Sequence, residues 1–365
     1  MNKLQQIALT KMRGVGHKTA RSLLAHCGTV EHIFDMNEKE LLEIPHIKPP
    51  AIHAIVSRSY MEDAEKELAF IEKHNIETLW IEDTNYPWRL RQCEDAPLLL
   101  YYRGNANLNA SRMISVVGTR NATDYGKRLC QELMTELQDL HIQVVSGLAY
   151  GIDVQAHRLA VMQGIPTIGV LGHGLDRIYP AAHRDIASRM LAHGGLLTEY
   201  PSGTRPDKLN FPARNRIIAG LSDVTIVVEA AQKGGALITA EIANSYNRDV
   251  CAFPGGVHQP YSAGCNYLIK TNRAHLIRHA DDLLYLLGWD RPAPSVKHQQ
   301  LQLPIPALTK DEQRVYDILQ ENDQLHIDVL LELLSWPMSK LAIILLEMEM
   351  NNVLISLPGK IYKSL

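Results

Sequence analysis

Short, continuously apolar segments alternate with helical patterns between residues 110 and 288, and this alternation restricts the fold more than any other feature of the chain. A strand that is apolar at every position is buried on both faces, as in a parallel sheet covered by helices on each side. The predicted strands are Met113–Val117, Ile142–Val145, Thr167–Leu171, Leu196–Glu199, Val224–Glu229 and Asp249–Phe253, with a weaker one at His275–Arg278. The sequence therefore predicts an α/β fold with a mostly parallel sheet.

Six loops that follow these strands all carry glycine, and most carry a charge. In a parallel sheet the loops at the carboxyl ends of the strands meet along one edge, where ligands bind. We expect a site at this edge, formed by "GTRNATDYG", "SGLAYGID", "GHGLDRIYP", "EYPSGTRPDKLNFPARN", "EAAQKGGALIT" and "PGGVHQPYSAG".

The first loop begins at Gly118 and has the strand–turn–helix order of a phosphate-binding fold, but it lacks G-x-G-x-x-G. Arg120 stands where a small residue would be expected, and the second strand ends in Ser146-Gly147 without an acid to hold a ribose. NAD and FAD are therefore not expected. Walker A, H-E-x-x-H and G-x-S-x-G motifs are also missing from the sequence, so we expect neither a cofactor nor a metal.

Asp153 and His157 are spaced i, i+4 on one predicted helix, with Asp153 near the helix N-terminus, where the dipole stabilises a carboxylate. Both an acid/base pair and a structural role are open at this point. The predicted site offers cations and backbone N–H groups without an activated nucleophile, so catalysis is not expected.

A basic segment lies in the fourth loop. It has one acid, Asp207, and four cations, a net charge of +3 in a chain whose formal net charge is −3; the cations are Arg205, Lys208, Arg214 and Arg216. Phe211 lies between them. Cations that follow a backbone, with an aromatic ring for base stacking, are typical of single-strand binding. The alternative is a solvated basic loop with Phe211 in the core.

The N-terminal 62 residues predict a helical helix-hairpin-helix (SAM-like) domain. The turn Gly14-Val15-Gly16 separates two helical patterns, and its glycines could let backbone N–H groups approach a DNA phosphate. The corresponding second turn, residues 45–50, has three prolines and no glycine. Either a packing module or DNA contact through the first hairpin fits this pattern.

The sequence predicts that the chain has four parts: the helical domain at 1–62, the α/β domain at 63–288, a Pro- and Gln-rich linker at 289–308, and a domain at 309–365. Residues 63–109 resemble an extra β-α unit added to the sheet. Three helical patterns and a short hairpin give the last domain the order of a winged helix.

Charge and cysteine usage limit the remaining possibilities. A net charge of −3 argues against a basic surface over the whole chain, so a polyanion site has to be local. The five cysteines form no C-x-x-C, as expected for reduced thiols. Without a signal-peptide pattern or an apolar run of about 18 residues, we expect a cytoplasmic protein with no membrane partner.

Taken together, these stretches resemble the DprA/Smf family of bacterial DNA-processing proteins. The resemblance rests on "VVGTRNATDYG", "VSGLAYGIDVQAH", "VLGHGLDRIYP", "LLTEYPSGTRPDKLNFPARNRIIAGLSDVTIVVEA", "GGALITAEIA" and "FPGG" through "GCNYLI", about 180 residues in order. It implies an extended Rossmann core that binds single-stranded DNA, protects it, self-associates as a homodimer, and helps load the RecA recombinase during natural transformation or recombination.

The family's DNA-pocket motifs fall, in chain order, on Gly118 and Arg120, Lys208 and Phe211, and Arg214 and Asn215. The candidate DNA-binding residues are Gly118, Thr119, Arg120, Arg205, Lys208, Asn210, Phe211, Arg214 and Asn215. Supporting loops contribute Ser146, Gly147, Gly172, Gly174 and Gly235. The resemblance implies that Arg120 holds a polynucleotide backbone where a mononucleotide fold leaves room for a cofactor.

Two positions depart from the family pattern. Gly234 replaces a common serine, and Asn272 replaces a common glycine, although asparagine tolerates the left-handed conformation. The second change lies in residues 266–277, which the resemblance implicates in self-association. A different class, the lysine-decarboxylase-like phosphoribohydrolases, is the alternative, because Gly234-Gly235…Thr239-Ala240-Glu241 loosely matches their P-G-G-x-G-T-x-x-E signature.

The C-terminal domain is acidic. Residues 309–365 contain five Lys/Arg and nine Asp/Glu, a net charge of −4. The third predicted helix, "PMSKLAIILLEMEMNN", is mostly apolar and has no arginine to read a base edge. We therefore expect this winged helix not to bind DNA by itself and to pack on protein.

Overall fold

The structure, a computed structural model, describes residues 3–291 and 308–364 apart from Arg13, His46, Ser59, Asp323, Asn352 and Pro358. The chain forms two compact units, residues 1–292 and 293–365. Most of the linker predicted at 289–308 lies outside the described residues.

The first unit begins with helices α1 (Lys3–Lys11), α2 (His17–Cys27), α3 (Val30–Asp35), α4 (Glu38–Leu42), α5 (Pro49–Val56) and α6 (Met61–Lys73). Their apolar faces share one core with Trp80, Leu99 and Tyr101. The turn at Gly14 joins α1 to α2, and its Cα faces Pro50 and Ala51 of α5. This contact supports the packing-module interpretation, and DNA contact by the hairpin stays a prediction.

A nine-stranded sheet organises the rest of the unit, counted over the described residues. Its strands are β1 (Glu77–Trp80), β2 (Leu99–Gly104), β3 (Met113–Val117), β4 (Gln143–Ser146), β5 (Thr167–Val170), β6 (Gly195–Thr198), β7 (Val224–Val227), β8 (Asp249–Ala252) and β9 (His275–Leu276). All seven predicted strands form, with ends that differ by at most two residues. The prediction of an α/β, mostly parallel sheet is confirmed.

The strand order is β1-β2-β6-β5-β4-β3-β7-β8-β9. From β3 the chain adds β4, β5 and β6 on one side, then returns to add β7, β8 and β9 on the other, all in parallel. The loops after β3 and β7 therefore diverge, which leaves the crevice in which open α/β sheets bind ligands.

Residues 63–109 differ from the predicted β-α unit. The strands β1 and β2 pair antiparallel, β2 pairs antiparallel with β6, and the short helix α7 (Trp88–Arg91) lies between β1 and β2. They extend one edge of the sheet as an antiparallel addition.

Helices cover both faces of the sheet because β3 and its neighbours are apolar on both sides. Ile114 and Val116 pack in one core, and Met113 and Val117 pack in the other. The first core contains side chains of α8 (Asp124–Leu137), α9 (Ile152–Met162) and a later helix, α14 (Ala280–Leu287). The second core contains side chains of α11 (Asn210–Leu221), α12 (Gly235–Ser245) and α13 (Ala263–Lys270). Between β5 and β6 lie the 3₁₀ turn Ala181–His183 and α10 (Arg184–Met190).

The second unit has the order expected of a winged helix: α15 (Lys310–Asn322), β10 (Leu325–His326), α16 (Ile327–Leu334), α17 (Met338–Met350), β11 (Leu354–Leu357) and β12 (Ile361–Ser364). Its three strands pair in the order β10-β12-β11, counted over the described residues. No single helix in the described chain is long and apolar enough to cross a membrane; the pair α16–α17, bent by 116°, meets that test by length and composition only.

Candidate nucleic-acid interface

A cleft of about 1280 Å³ opens at the carboxyl ends of the parallel strands, beside the crevice between β3 and β7. All six of the predicted glycine-bearing loops supply residues to it. These include residues 118–121 after β3, Ala149 and Asp153 after β4, Tyr179 after β5, Lys208 and Phe211 after β6, residues 233–239 after β7, and Tyr261 after β8.

The loop after β3 is held by Glu229, two residues after β7. The Glu229 carbonyl accepts from the Thr119 amide at 2.7 Å, and its carboxylate accepts from the Thr123 amide and hydroxyl at 3.0 and 2.6 Å. The Thr119 carbonyl in turn accepts from Ile152 at 3.1 Å. Gly118 is needed here, since a Cβ would lie 2.4 Å from Ile152 Cγ1. The backbone that presents Arg120 is therefore fixed before any ligand binds.

Three side chains from three loops form what we call the stacking group: Arg120, Tyr179 and Phe211. The Tyr179 and Phe211 rings stack with centroids 5.7 Å apart and an interplanar angle of 29°. The Arg120 guanidinium carbon lies 5.8 Å from the Phe211 centroid, within cation–π range. Tyr179 is 49% exposed, so the group presents aromatic surface to the solvent side of the cleft.

Lys208 and Lys233 line the cleft on opposite sides of the crevice, after β6 and β7. Both are exposed, and no ion pair within 4.0 Å engages either side chain in the described part of the chain. Arg205 is also exposed but lies outside the cleft lining. The cleft therefore carries uncompensated positive charge beside its stacking group.

Arg214 occupies a different position from the other predicted cations, because its side chain is buried under the cleft floor with 3% exposure. Its Nη1 donates to the carbonyls of Gly147, at 2.7 Å, and Val170. Burial lowers the pKa of Arg214 to about 10, and the nearby Asp153 opposes this shift. The guanidinium remains charged at neutral pH and already donates hydrogen bonds to carbonyls of the protein. A phosphate contact by Arg214 stays a prediction.

Arg216, the fourth cation of the basic segment, is not among the residues that line the cleft. Its guanidinium pairs with Glu199, and both side chains are largely buried. The net charge of +3 counted along the sequence is therefore divided, with Arg205 and Lys208 exposed and Arg214 and Arg216 internal.

The other predicted residues are distributed around the cleft. Asn215 and Gly235 line it. Gly172 and Asn210 lie behind Phe211, where a Cβ on Gly172 would approach the Phe211 ring to 3.1 Å. Ser146 is buried and donates to the Val116 carbonyl at 2.6 Å. Two further glycines pack within the floor and the fourth loop: Gly147 against Arg214 and Asp153, and Gly174 against Pro201 and Ser202.

Asp153 and His157 are both buried. The pKa of Asp153 is raised by burial, against the charge of Arg214 and the amides of Ala149 and Gly147. Burial also lowers the pKa of His157 to about 3, and its Nδ1 lies 2.7 Å from the Thr167 hydroxyl. A histidine that stays neutral and has a hydroxyl partner in the core fits the structural role better than the acid/base pair.

The cleft residues that were not among the predicted site residues include two aromatics and one cation, Tyr179, Tyr261 and Lys233. Each lies in one of the glycine-bearing loops that the sequence singled out, and the signal was an aromatic or a cation within such a loop. Tyr261 accepts from Asn121 at 3.2 Å and so ties the sixth loop to the first. Nothing local in the sequence shows that Tyr179 faces Phe211, 32 positions later in the chain.

The features of a catalytic site are weak in this cleft. Glu241, which the phosphoribohydrolase alternative would need, is paired with Arg273 at 2.5 Å. No group of three or more His, Cys, Asp or Glu that could hold a metal ion is found among the residues described. The arrangement is suited to binding an extended anion with flat, unpaired bases.

Comparison with known proteins gives a consistent picture across the chain. The family model for DNA recombination-mediator protein A matches residues 77–288, the DprA winged helix domain matches 299–360, and the SAM-like helix-hairpin-helix tandem matches 7–58. Protein Smf of Synechocystis sp. is 37% identical over 289 residues, which span 77% of this chain and 72% of that protein.

Two solved structures are also similar. The X-ray structure of DNA processing protein A from Streptococcus pneumoniae superposes with a TM-score of 0.67 at 32% identity, covering 78% of this chain and 98% of that one. DNA processing protein A from Helicobacter pylori, in a structure described for its single-stranded DNA binding mode, gives a TM-score of 0.54 at 29% identity over 60% of this chain and 97% of that one. With a family model that matches more than half of its residues, the chain belongs to the DNA recombination-mediator protein A family, DprA/Smf.

Proposed function

We propose that the protein binds single-stranded DNA in the cleft at the carboxyl ends of the parallel strands. The observation that carries this proposal is the stacking group, in which Arg120, Tyr179 and Phe211 present aromatic and cationic surface beside the exposed Lys208 and Lys233. Aromatic rings stack on any base, and lysine and arginine neutralise phosphates without reading sequence. The relative from Helicobacter pylori is described as binding single-stranded DNA, which supports the same ligand class here.

Single strands are favoured over duplex because a base has to leave its neighbours to stack on Phe211 and Tyr179. In a duplex both faces of each base are already stacked. The cleft also lacks an exposed helix rich in amides or arginines that could enter a major groove, within the residues that line it.

The protein is expected to bind single-stranded oligonucleotides more tightly than duplex, with little base preference and no turnover. With roughly three to four phosphates neutralised, log affinity should fall with log salt at a slope of about −2 to −3. A gel shift over a salt series measures the strand preference and the salt slope. An assay for base release from a nucleoside monophosphate measures turnover. Equal affinity for duplex would contradict the proposal. Base release that Glu241→Gln abolishes would establish the phosphoribohydrolase alternative.

Family membership supports a more specific proposal: the protein protects single-stranded DNA and helps load RecA during transformation or recombination. Binding along a strand without base preference leaves the DNA available to a second protein that also binds any sequence. RecA filaments are expected to form faster on single-stranded DNA when the protein is present. The rate of ATP hydrolysis by RecA measures filament formation. An unchanged lag would contradict this part of the proposal and leave DNA binding unaffected.

We also propose that the protein forms a homodimer through the β9 edge of the sheet. The strand β9 has β8 on one side and no described strand on the other. Large apolar or aromatic side chains are exposed around it, with Tyr267 at 46%, Leu276 at 47% and Tyr285 at 92%. Asn272, which replaces the family's common glycine, has φ 55°, so the left-handed turn before β9 is retained.

Leu276→Glu is expected to dissociate this dimer, because a carboxylate would be buried in an apolar contact. Sedimentation equilibrium measures the change. Leu42→Glu is the matched control, since Leu42 is 62% exposed on α4 and lies outside the proposed contact. A wild-type monomer, or a Leu276→Glu dimer, would contradict the assignment.

The winged helix is expected not to bind DNA by itself. Its helix α17 exposes Ile343 and Leu346, each at 58%, and Met350 at 76%, where a DNA-reading helix would present polar and basic groups. Lys340, the one basic side chain of α17, pairs with Asp311 at 2.7 Å. Titrating residues 300–365 with single-stranded and duplex DNA at low salt tests this prediction. Micromolar binding would show it to be wrong.

A further inference from the structure

A second cationic groove lies outside the cleft, between α9 and α10. It has a volume of about 150 Å³ and is lined by Arg158, Met162, Ala182, Asp185, Ile186 and Arg189. The two helices pack side by side, so the groove is formed by fixed elements of the fold.

The charge in this region is positive although the chain as a whole is slightly acidic. The exposed charged side chains of α9 and α10 are Arg158, Arg184, Arg189 and one acid, Asp185. None of the three arginines has an ion-pair partner within 4.0 Å in the described chain. Arginines that stand together without carboxylate partners repel one another, and a bound polyanion relieves that repulsion.

The groove is connected to the cleft by two stretches of chain. Tyr179 of the stacking group is three residues before Ala182, which lines the groove. Tyr150, 49% exposed, packs edge-on against His183 with centroids 4.9 Å apart, and the following Gly151 lies against Thr119 and Arg120. An aromatic ring is thus exposed between the Arg120 loop and the start of α10.

We propose that the α9–α10 groove is a second contact site for the backbone of the same single strand that occupies the cleft. Arg158 and Arg189 bind phosphates, Tyr150 stacks on a base between the two sites, and Met162, 73% exposed, contacts the sugars. This inference rests on the proposed function of the cleft.

The geometry of α9 gives the number of nucleotides needed to reach from the cleft to the groove. Arg158 lies six residues into α9 after Ile152, about 9 Å along the helix axis at 1.5 Å per residue. That distance corresponds to about three nucleotides at the 3.4 Å spacing of a stacked strand. Oligonucleotides long enough to leave the cleft by about three nucleotides should therefore gain affinity, and shorter ones should not.

The test measures affinity against oligonucleotide length, with oligo-dT from about 4 to about 20 nucleotides, for wild type and for the double variant Arg158→Ala/Arg189→Ala. The variant should match wild type on the shortest oligonucleotide that binds and lose the gain on longer ones. Its salt slope on long oligonucleotides should be smaller in magnitude by about 1.4, at 0.7 per phosphate. Asp185→Asn should have the opposite effect and tighten binding of long oligonucleotides.

Two control variants distinguish a phosphate contact in this groove from a general loss of positive charge. Arg158→Lys/Arg189→Lys keeps the charge and should keep the salt slope. Lys39→Ala/Lys73→Ala removes the same charge from exposed positions on α4 and α6 and should leave the length dependence unchanged.

The inference is overturned if the Arg158→Ala/Arg189→Ala variant matches wild type at every length, or if it weakens binding of the shortest oligonucleotide equally. Failure of wild type to bind any oligonucleotide would overturn the cleft proposal together with this one.

Discussion

Arg214→Ala is expected to destabilise the first unit by about 3–5 kcal/mol, an effect on folding that precedes any effect on DNA. The substitution leaves the buried carbonyls of Gly147 and Val170 without their donor. It also removes the positive charge that faces Asp153, whose burial already raises its pKa. At neutral pH the folded protein then has to hold that carboxyl either charged without a counter-ion or protonated, and both cost free energy relative to the unfolded chain.

Chemical denaturation followed by circular dichroism measures this change as a shift of the first unit's transition. Arg205→Ala is the matched control, because Arg205 belongs to the same basic segment but is exposed, and such a substitution changes stability by less than about 0.5 kcal/mol. If Arg214→Ala kept wild-type stability and still lost single-strand binding, the guanidinium would be a ligand for phosphate and its internal role here would be wrong.

The sheet could be predicted from the sequence because its signal is local. Each parallel strand is a short apolar run between glycine loops, and β3 is apolar enough to fill cores on both faces with alternate residues. The direction of β2 has no such signal. The run at Leu99–Gly104 reads like the other strands, and only its pairing with β1 and β6 makes it antiparallel.

The basic segment shows why charge counted along a chain is not charge on a surface. Four cations within twelve residues predicted a polyanion site, and the segment does reach the cleft. Two of the four, however, face acids that the fold brings close, Asp153 of helix α9 near Arg214 and Glu199 just after β6 beside Arg216. Those partners are fixed by sheet topology, which no residue pattern within the segment contains.

The contacts of Phe211 bear on both of the roles that the sequence predicted for it. The sequence allowed it either to stack on bases or to fill the core. In the structure one side of the ring lies over Gly172, the other takes part in the stacking group with Tyr179 and Arg120, and stacking on bases stays a prediction. Experiments can therefore distinguish packing in the core from stacking on bases.

Phe211→Ala is expected to weaken single-strand binding by about 1–3 kcal/mol, a loss of about five- to 150-fold in affinity, because base–aromatic stacking contributes that much per base. The loss should be similar for all base compositions, since every base has a face that stacks. It should also exceed the loss in Lys208→Ala, which removes one phosphate contact and reduces the salt slope by about 0.7. Fluorescence anisotropy with a labelled single strand measures both variants.

Phe211→Tyr is the matched control, because it keeps the ring over Gly172 and beside Tyr179 while adding one hydroxyl. If stacking is the cause, Phe211→Tyr should bind nearly as tightly as wild type, and Tyr179→Ala should lose affinity in the same direction as Phe211→Ala. Thermal melting distinguishes the two roles of the ring. A large fall in melting temperature with Phe211→Ala would assign it to the core, whereas unchanged affinity together with unchanged melting would show that the strand does not pass over this residue.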